Sequence, residues 1–497
     1  MNMILSHTII AVRPRLRRVI RSAAAAALTV LAACAVGPRY REPPAPAVEP
    51  RNIDAHFTAA KPDAAWWRQF GDPVLAGLET RALAGNLDMH IAIARVRSAR
   101  AAFRETQYDY APHVQLDGSY ARSKEQQPGF TAGRVDIENS SVGFDASWEI
   151  DLFGRVRHES AAARALLGAE QANLTDVQVT VAAEVARNYF ELRGTQRQIA
   201  VARDNLQNQQ QALRLTQIRY EAGRVTELDT DSAQARLKAT ESTLPLLEAA
   251  EKRYGYRLAV LLGANPGSLD AELTAVPVQA MTAALPIGDV STLLRTRPDV
   301  RFAERNLAAA TERVGVATAD LFPRVSFSGF VGFLSGDTSQ LGKAASHAWL
   351  VNPAVSWPAL DFGPVRARLR SARAEADGAL AAYQKAVLIA LEDFEDACVG
   401  YGTQEARLAS VLEQAQASRR AEQLAEIQYR EGSINFLVLL DAQRTLLQAE
   451  DDLAQAEAAA NTSAVAVYKA LGGVAAPRDT EAAGNHEVSR SDGSVGS

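Results

Sequence analysis

The side chains through which proteins most often do chemistry are sparse in these 497 residues, and their spacing fits no catalytic or metal-binding pattern. Two cysteines, Cys34 and Cys398, can build neither a disulfide framework nor a cysteine-rich zinc site. The seven histidines, at 7, 56, 90, 113, 158, 347 and 486, lack ligand spacing. There is no HExxH, no glycine-rich phosphate loop followed by lysine, and no cysteine–histidine constellation, so the chain reads as a non-enzyme that uses no metal or cofactor. Two other groups remain. Cys34 directly follows Leu31-Ala32-Ala33, and Leu437, Asp441 and Arg444 stand at i, i+4 and i+7, the spacing that puts side chains on one helix face. On spacing alone, Asp441 and Arg444 read as a solvated surface pair contributing a few tenths of a kcal/mol, and Leu437 as a core residue.

Composition narrows the class. With 47% hydrophobic and 22% charged residues, 31 Gly and 20 Pro, the chain is neither disordered, collagen-like nor a disulfide scaffold. Lys plus Arg is 53 against 58 for Asp plus Glu, and no basic stripe tracks a phosphate backbone, so nucleic acid is not a partner to expect. The basic residues of the N-terminus (Arg13, Arg15, Arg17, Arg18, Arg21) precede an apolar run from Ala23 to Ala33 that is too short to span a bilayer. Residues 1–33 therefore read as a secretory signal peptide. The approach to Cys34 is similar to a bacterial lipobox, in which the first mature cysteine takes a diacylglyceryl group. That likeness implies a covalent lipid on Cys34 and, with Ala35 rather than Asp next, sorting to the outer membrane. Each acyl chain would add about 0.8 kcal/mol of membrane affinity per buried CH₂. The alternative is an ordinary signal with a chance cysteine.

The chain is also written twice. At an offset of 211, Asp88 falls on Asp299, Ala92 on Ala303, Ala99 on Ala310 and Pro112 on Pro323. After a two-residue slip an offset of 209 takes over. Trp148 meets Trp357, Phe153-Gly154 meets Phe362-Gly363, Tyr220 meets Tyr429, Gly223 meets Gly432 and Leu262-Gly263 meets Leu471-Gly472. A register this long without a gap predicts a duplicated domain rather than a short-period solenoid.

Two kinds of element must position these residues. The first is short and two-periodic: Val114, Leu116, Gly118, Tyr120; Val142, Phe144, Ala146, Trp148, Ile150; Val325, Phe327, Gly329, Val331, Phe333; and Trp349, Val351, Pro353, Val355, Trp357. Each predicts a strand of about 9–12 residues, the length that crosses a membrane when tilted. Loops from Lys124 to Asn139 and from Ser335 to His347 separate them. A soluble hairpin would alternate in the same way. Four strands cannot close a barrel, and open edges are not tolerated in hydrocarbon, so spanning strands would require several chains to pool them. The second kind is long and helical. From Arg157 to Ala222 there is no Pro, and at 1.5 Å per residue such a helix would extend roughly 100 Å. Val185, Leu192, Ile199, Leu206, Leu213 and Tyr220 recur every seven residues along it, with Phe394, Tyr401, Leu408, Ala415 and Tyr429 in register in the second copy and Glu422 interrupting. Each helix ends at a glycine suited to a left-handed cap, Gly223 or Gly432, and a return helix follows, predicting helical hairpins.

In this order the motifs resemble the outer-membrane factor family, the TolC and OprM type of exit duct, and most of all its lipoprotein, NodT-like branch. The motifs are Cys34-Ala-Val-Gly-Pro-Arg-Tyr40 with Pro43; Trp66-Trp67-Arg-Gln-Phe70-Gly-Asp72-Pro73; Asn86-Leu-Asp88; Trp148-Glu-Ile-Asp151-Leu-Phe-Gly154; Leu294-Arg-Thr-Arg297-Pro298-Asp299 with Glu304; Phe322-Pro323; and Leu440-Asp441-Ala442-Gln443-Arg444. The resemblance implies a mainly α, internally duplicated fold. Four strands per chain would complete a twelve-stranded outer-membrane barrel in a homotrimer, and the paired helices would form an α-barrel in the periplasm. It also implies a periplasmic adaptor, an inner-membrane pump of the resistance–nodulation–division (RND) type, and a role in multidrug efflux, with the outer-membrane lipid as surroundings. Carried over by position, Leu437 would be a hydrophobic constriction, Asp441 an acidic ring and Arg444 its basic partner in a gate at the periplasmic tips. The tip turns, with Gly223, Val225, Gly432 and Ile434, would meet the adaptor. The first copy has Leu228, Ser232 and Ala235 at the gate positions, so any contact from it would use groups such as Asp229 or Asp231. The expected organisation is a signal peptide over 1–33, a lipid-anchored tether over 34–62, repeats over 63–265 and 289–474 joined by a linker at 266–288, and a tail over 475–497. A type I secretion duct shares this fold, and a non-porous periplasmic coiled-coil scaffold would use the same helices.

Overall fold

The computed structural model describes residues 35–43, 51–126, 132–276, 280–281 and 283–473. The signal segment, Cys34 and the tail lie outside the described residues. In chain order the elements are β1 (Phe57–Thr58), a 3-10 turn at Trp66–Phe70, α1 (Pro73–Gly85), α2 (Leu87–Tyr108), β2 (His113–Glu125), β3 (Val135–Ile150), α3 (Arg155–Glu221) and α4 (Glu227–Leu261). There follow β4 (Leu285–Pro286), α5 (Val290–Thr296), α6 (Pro298–Ala319), β5 (Arg324–Ser335), β6 (His347–Ser356), α7 (Phe362–Arg430) and α8 (Phe436–Ala470). The duplication is visible in the lengths: α2 and α6 have 22 residues each, α4 and α8 35 each, and α3 and α7 67 and 69.

The chain divides into two compact units. The first holds Arg97–Ala169 and Ala303–Ala382 with the described residues up to Pro43. Its centre is an antiparallel sheet in the order β2-β3-β5-β6. The register aligns the four alternating patterns. Trp148 lies opposite Phe327, which lies opposite Pro353; Phe144 faces Leu116 on one side and Val331 on the other, and Val331 faces Trp349. Because side chains alternate with period two, the apolar positions of the four patterns fall on one face, and Gln115, Asp117, Ser141, Asp145, Ser326, Ser328 and Asn352 fall on the other together with Phe330, Leu334 and Leu350. The β2–β3 hairpin runs past the apolar stretch, to Glu125 opposite Val135, with Arg122 opposite Glu138 at 3.5 Å. Residues 124–125 and 135–139 thus continue as strand where loop is predicted, because the backbone ladder does not need an unbroken apolar alternation to extend.

A left-handed Gly154 (φ 90°) turns β3 into α3. The turn is tied by Arg155 to Glu149 (2.7 Å) and Glu159 (2.9 Å), by Arg157 to Asp151 (3.1 Å), and by Phe153 stacked on Phe322 at 5.0 Å. That accounts for the Asp151-Leu-Phe-Gly154 and Phe322-Pro323 motifs.

The second unit holds the described residues of Pro44–Val96, with Glu170–Phe302 and Tyr383 onward. Trp66 stacks on Tyr468 at 5.1 Å, Tyr468 donates to Gln69 Oε1 at 2.7 Å, and Phe70 packs on Phe190 at 4.7 Å. Asp72 caps α1 by accepting from the N–H groups of Val74 and Leu75, and also accepts from the buried Tyr189 hydroxyl at 2.5 Å. The tryptophan-rich motif is therefore a core plug followed by a helix cap.

Seam burial differs between the copies. On α3 Val185, Leu192 and Ile199 are buried, Leu206 and Leu213 are half-buried and Tyr220 is 45% exposed. A seven-residue repeat drifts about 20° per heptad around a straight helix, which carries a stripe out of the packed face over five heptads. On α7 the seam ends with Tyr429 buried, because that end meets a hydrophobic cluster.

The C-terminal ends of the return helices are capped by side chains from the other half of each repeat. Asn86 Nδ2 donates to the carbonyl of Leu261, the last residue of α4, at 2.8 Å. Arg297, two positions before Asp299 as Asn86 is before Asp88, donates to the carbonyl of Ala470, the last residue of α8, at 2.9 Å. Arg297 also reaches Asp299 (2.7 Å), Asp393 (2.9 Å) and the Ala390 carbonyl (3.2 Å) with only 8% of its side chain exposed. Glu79 is the opposite case: fully buried, both oxygens unpartnered, with burial holding its carboxyl well above the usual carboxylate range. Arg297→Ala removes the buried guanidinium that bonds the Ala390 and Ala470 carbonyls and the partly exposed Asp299 and Asp393, and is expected to cost about 1–3 kcal/mol, whereas Glu79→Met leaves nothing unpaired and is expected to be neutral or stabilising. Thermal melting followed by the helical circular dichroism signal checks both, and an Arg297→Ala protein melting with the wild type would refute the capping role.

Candidate functional site

The two helical turns close in the same way. Gly223 (φ 66°) donates to Tyr220 O at 2.9 Å while Arg224 N–H reaches back to Arg219 O at 2.9 Å; Gly432 (φ 76°) donates to Tyr429 O at 3.0 Å while Ser433 N–H reaches Gln428 O at 2.9 Å. Both are left-handed caps with a six-to-one bond, and open space surrounds both glycines, so backbone conformation alone selects the residue. The return helices start on different caps. Asp229 Oδ2 accepts from the N–H and hydroxyl of Thr226 (2.9 and 2.8 Å), and Asn435 Oδ1 accepts from Val438 N–H at 3.1 Å.

A small core joins the hairpins at this end: Ala233, Ala425, Tyr429, Phe436 and Leu439, with Leu213, Leu215, Ile434 and Leu440 packed against it. The Arg219 guanidinium lies 4.2 Å from the Tyr429 ring centroid and donates to the carbonyls of Tyr429 (3.2 Å) and Arg430 (3.4 Å). A cation from α3 thus caps the negative end of α7.

The predicted gate residues sit together on one exposed face of α8. Leu437 is 51% exposed, and Arg444 Nη2 donates to Asp441 Oδ1 at 2.7 Å with both side chains open to solvent. Of the predicted contact residues, Gly223 and Gly432 stand at the turns, whereas Val225 and Ile434 are half-buried, Ile434 because it packs on the Tyr429–Phe436 core. The exposed apolar residues here are instead Ile218, Leu228, Ile427, Leu437 and Val438, and Leu228 and Leu437 occupy equivalent positions in the two copies. Asp229 is committed to its cap. The first copy's contribution is Arg236 on α4, half-buried and close enough to the pair to feel both charges: burial and the Arg444 guanidinium lower its hold on its proton, and Asp441 opposes them.

Cys34 lies outside the described residues. Cys398 is buried, and burial with Glu395 and Asp54 nearby pushes its thiol up to about 12. Among the described residues no helix is long and apolar enough to cross a membrane, and no group of His, Cys, Asp and Glu is arranged to hold a metal ion. The sheet is different: every residue of β2 is exposed, as is nearly all of β6, and these strands are its two unpaired edges.

Two segments, 78–264 and 290–473, one in each copy, match the family described as outer membrane efflux protein. The chain is 30% identical over 433 residues to Nodulation protein T of Rhizobium leguminosarum bv. trifolii, covering 86% of this chain and 91% of that one. It is also 30% identical over 461 residues to the toluene efflux pump outer membrane protein TtgC of Pseudomonas putida, covering 89% and 93%. Among solved structures, the outer-membrane channel OprN superposes with a TM-score of 0.85 at 47% identity, covering 88% of this chain and 99% of that one.

The Cys398 thiol is expected to stay unlabelled by maleimide at about pH 8 in the native protein and to react once the protein is denatured. Labelling before denaturation would show that the helix around it opens.

Proposed function

Because the chain belongs to the outer membrane efflux protein family, we propose that it is the outer-membrane exit duct of a tripartite efflux pump, conducting substrates passively from the periplasm to the exterior. One observation carries this reading: four strands in register present a single apolar face and two open edges. In hydrocarbon an unpaired backbone group costs several kcal/mol, so these edges must be paired, and β6 of one chain can pair with β2 of the next because the strands alternate in direction. Three chains pool twelve strands, with the polar face lining the lumen. An acyl group on Cys34 adds an anchor in the same membrane. A periplasmic adaptor and an inner-membrane pump of RND type supply energy and substrate choice, consistent with a chain that carries no catalytic constellation.

The gate in this reading is the exposed face of α8. Leu437 narrows the opening, and the Asp441–Arg444 pair holds the closed arrangement with Arg236 beside it. An ion pair this exposed contributes at most about 1 kcal/mol, so the lock is weak by construction and a docking partner can release it. The adaptor would meet the two turns at Gly223 and Gly432 and the exposed Leu228. In planar bilayers, Asp441→Ala combined with Arg444→Ala is expected to raise single-channel conductance several-fold over the wild type. Equal conductance would reject the gate assignment, and folded protein forming no channel in either version would favour the scaffold.

A further inference from the structure

The residues immediately after Cys34 are held in place. Val36 donates its N–H to Phe153 O at 3.0 Å, and its own carbonyl accepts from His158 Nε2 at 3.0 Å. The other ring nitrogen of His158 contacts Glu312 Oε2 at 2.5 Å, and Glu312 Oε1 accepts from Tyr40 N–H at 3.4 Å. The Tyr40 hydroxyl donates to Glu304, and its ring lies under Arg305 and against Ala165, Ala308 and Ala309. The fit is close: Gly37 (φ 113°) would drive a Cβ to 2.8 Å from the Gly315 Cα, and a Cβ on Gly315 would strike the His158 ring. His158 lies on α3 of the first copy and Glu304, Glu312 and Gly315 on α6 of the second, so the strap from Ala35 to Tyr40 ties the two copies within the sheet-bearing unit.

The duplication supplies an internal control. The positions equivalent to His158, Glu304, Glu312 and Gly315 are Ala367, Ile93, Ala101 and Arg104. The buried polar pair and the facing glycine exist only where the strap lies, so they serve the strap and not the helices.

We propose that His158 and Glu312 form a protonation-dependent latch that seats the first residues of the mature chain, and with them the acyl anchor, on the sheet-bearing unit. The ring nitrogens face Glu312 Oε2 and Val36 O, an arrangement that an imidazolium satisfies by donating from both. The charged groups facing it are Glu312 from α6 and Asp151 from the end of β3, the latter shared with Arg157; the Glu304–Arg305 pair and Tyr40 lie one step away. Glu312 foremost raises the affinity of His158 for its proton, with burial opposing. A histidine that binds its proton more tightly when folded holds the strap fully below its ordinary range near 6.5 and releases it as pH climbs through the raised value. The placing of the lipid rests on the reading of Cys34 as acylated; the latch does not.

Hydrogen–deuterium exchange on the full-length protein in detergent tests this, with intact mass reporting the acyl group and conductance recorded on the same preparation. After correction for intrinsic rates, the Val36 to Tyr40 amides are expected to exchange roughly tenfold or more faster at about pH 9 than at about pH 6. His158→Ala should exchange fast at both, and Glu312→Gln should shift the transition to lower pH, with the turn at 429–436 unaffected throughout. Protection independent of pH in the wild type, or His158→Ala as protected as the wild type, overturns the latch. Should His158→Ala not fold, the wild-type titration and Glu312→Gln decide. A conducting protein whose strap ignores pH overturns the latch alone; a strap that titrates in a protein that forms no channel either as wild type or with Asp441→Ala and Arg444→Ala overturns the duct and leaves the latch.

Discussion

Backbone hydrogen bonds at a sheet edge are the constraint on which the rest of this structure depends. Four strands with one apolar face are too few to close and too apolar to face water, so β2 and β6 end as rows of N–H and C=O groups that only other chains can pair. Much else follows from that shortage. The strands must keep register for the apolar positions of all four to fall on one side, and a slip of one residue would turn Trp148 and Phe327 into the lumen and Asp145 into lipid. The ladder beyond the apolar stretch, from Ala121 to Glu125, extends that register, with Arg122 opposite Glu138.

Duplication meets the demand with one repeating unit, and the departures from repetition are where function concentrates. The join at the end of each return helix is served by Asn86 in one copy and by the charged, multiply bonded Arg297 in the other. Tyr220 and Tyr429 are equivalent by sequence, yet the first is exposed and the second is buried beneath the Arg219 guanidinium. The charged pair near the turns belongs to the second copy, and Arg236 answers it from the first. These differences make the two hairpins of one chain unequal in charge and packing.

Much of the architecture was legible because it rests on periodicity. The two-residue alternation, the seven-residue seam, the glycine stops and the duplicated register each report a local geometric rule, and all four strands and both hairpins stand where those rules put them. Loop lengths were less legible: residues 124–125 and 135–139 are mostly polar and yet paired, since pairing is a backbone property. The surroundings of the turns were legible only in part. Leu437, Asp441 and Arg444 share a face as spacing requires, but Val225 is half-buried and Ile434 packs on a cluster whose members come from four helices, and no local pattern encodes that. Arg219 and Arg236 were unreadable for the same reason, their partners being roughly 210 residues away along the chain.

His158 shows how a duplicated sequence can still betray such long-range contacts. As one of seven scattered histidines it carries no signal, and Glu312 is 154 residues distant. Set against the other copy, however, both positions are alanine, and Gly315 faces an arginine at Arg104. A buried imidazole and carboxylate that appear in one repeat and vanish in the other cannot be explained by helix packing, which the two repeats share. Something present on only one side must require them, and a segment outside the repeats, the strap from Ala35 to Tyr40, lies against them. In a protein built twice, the polar residue without a counterpart marks the place where symmetry was given up for a contact.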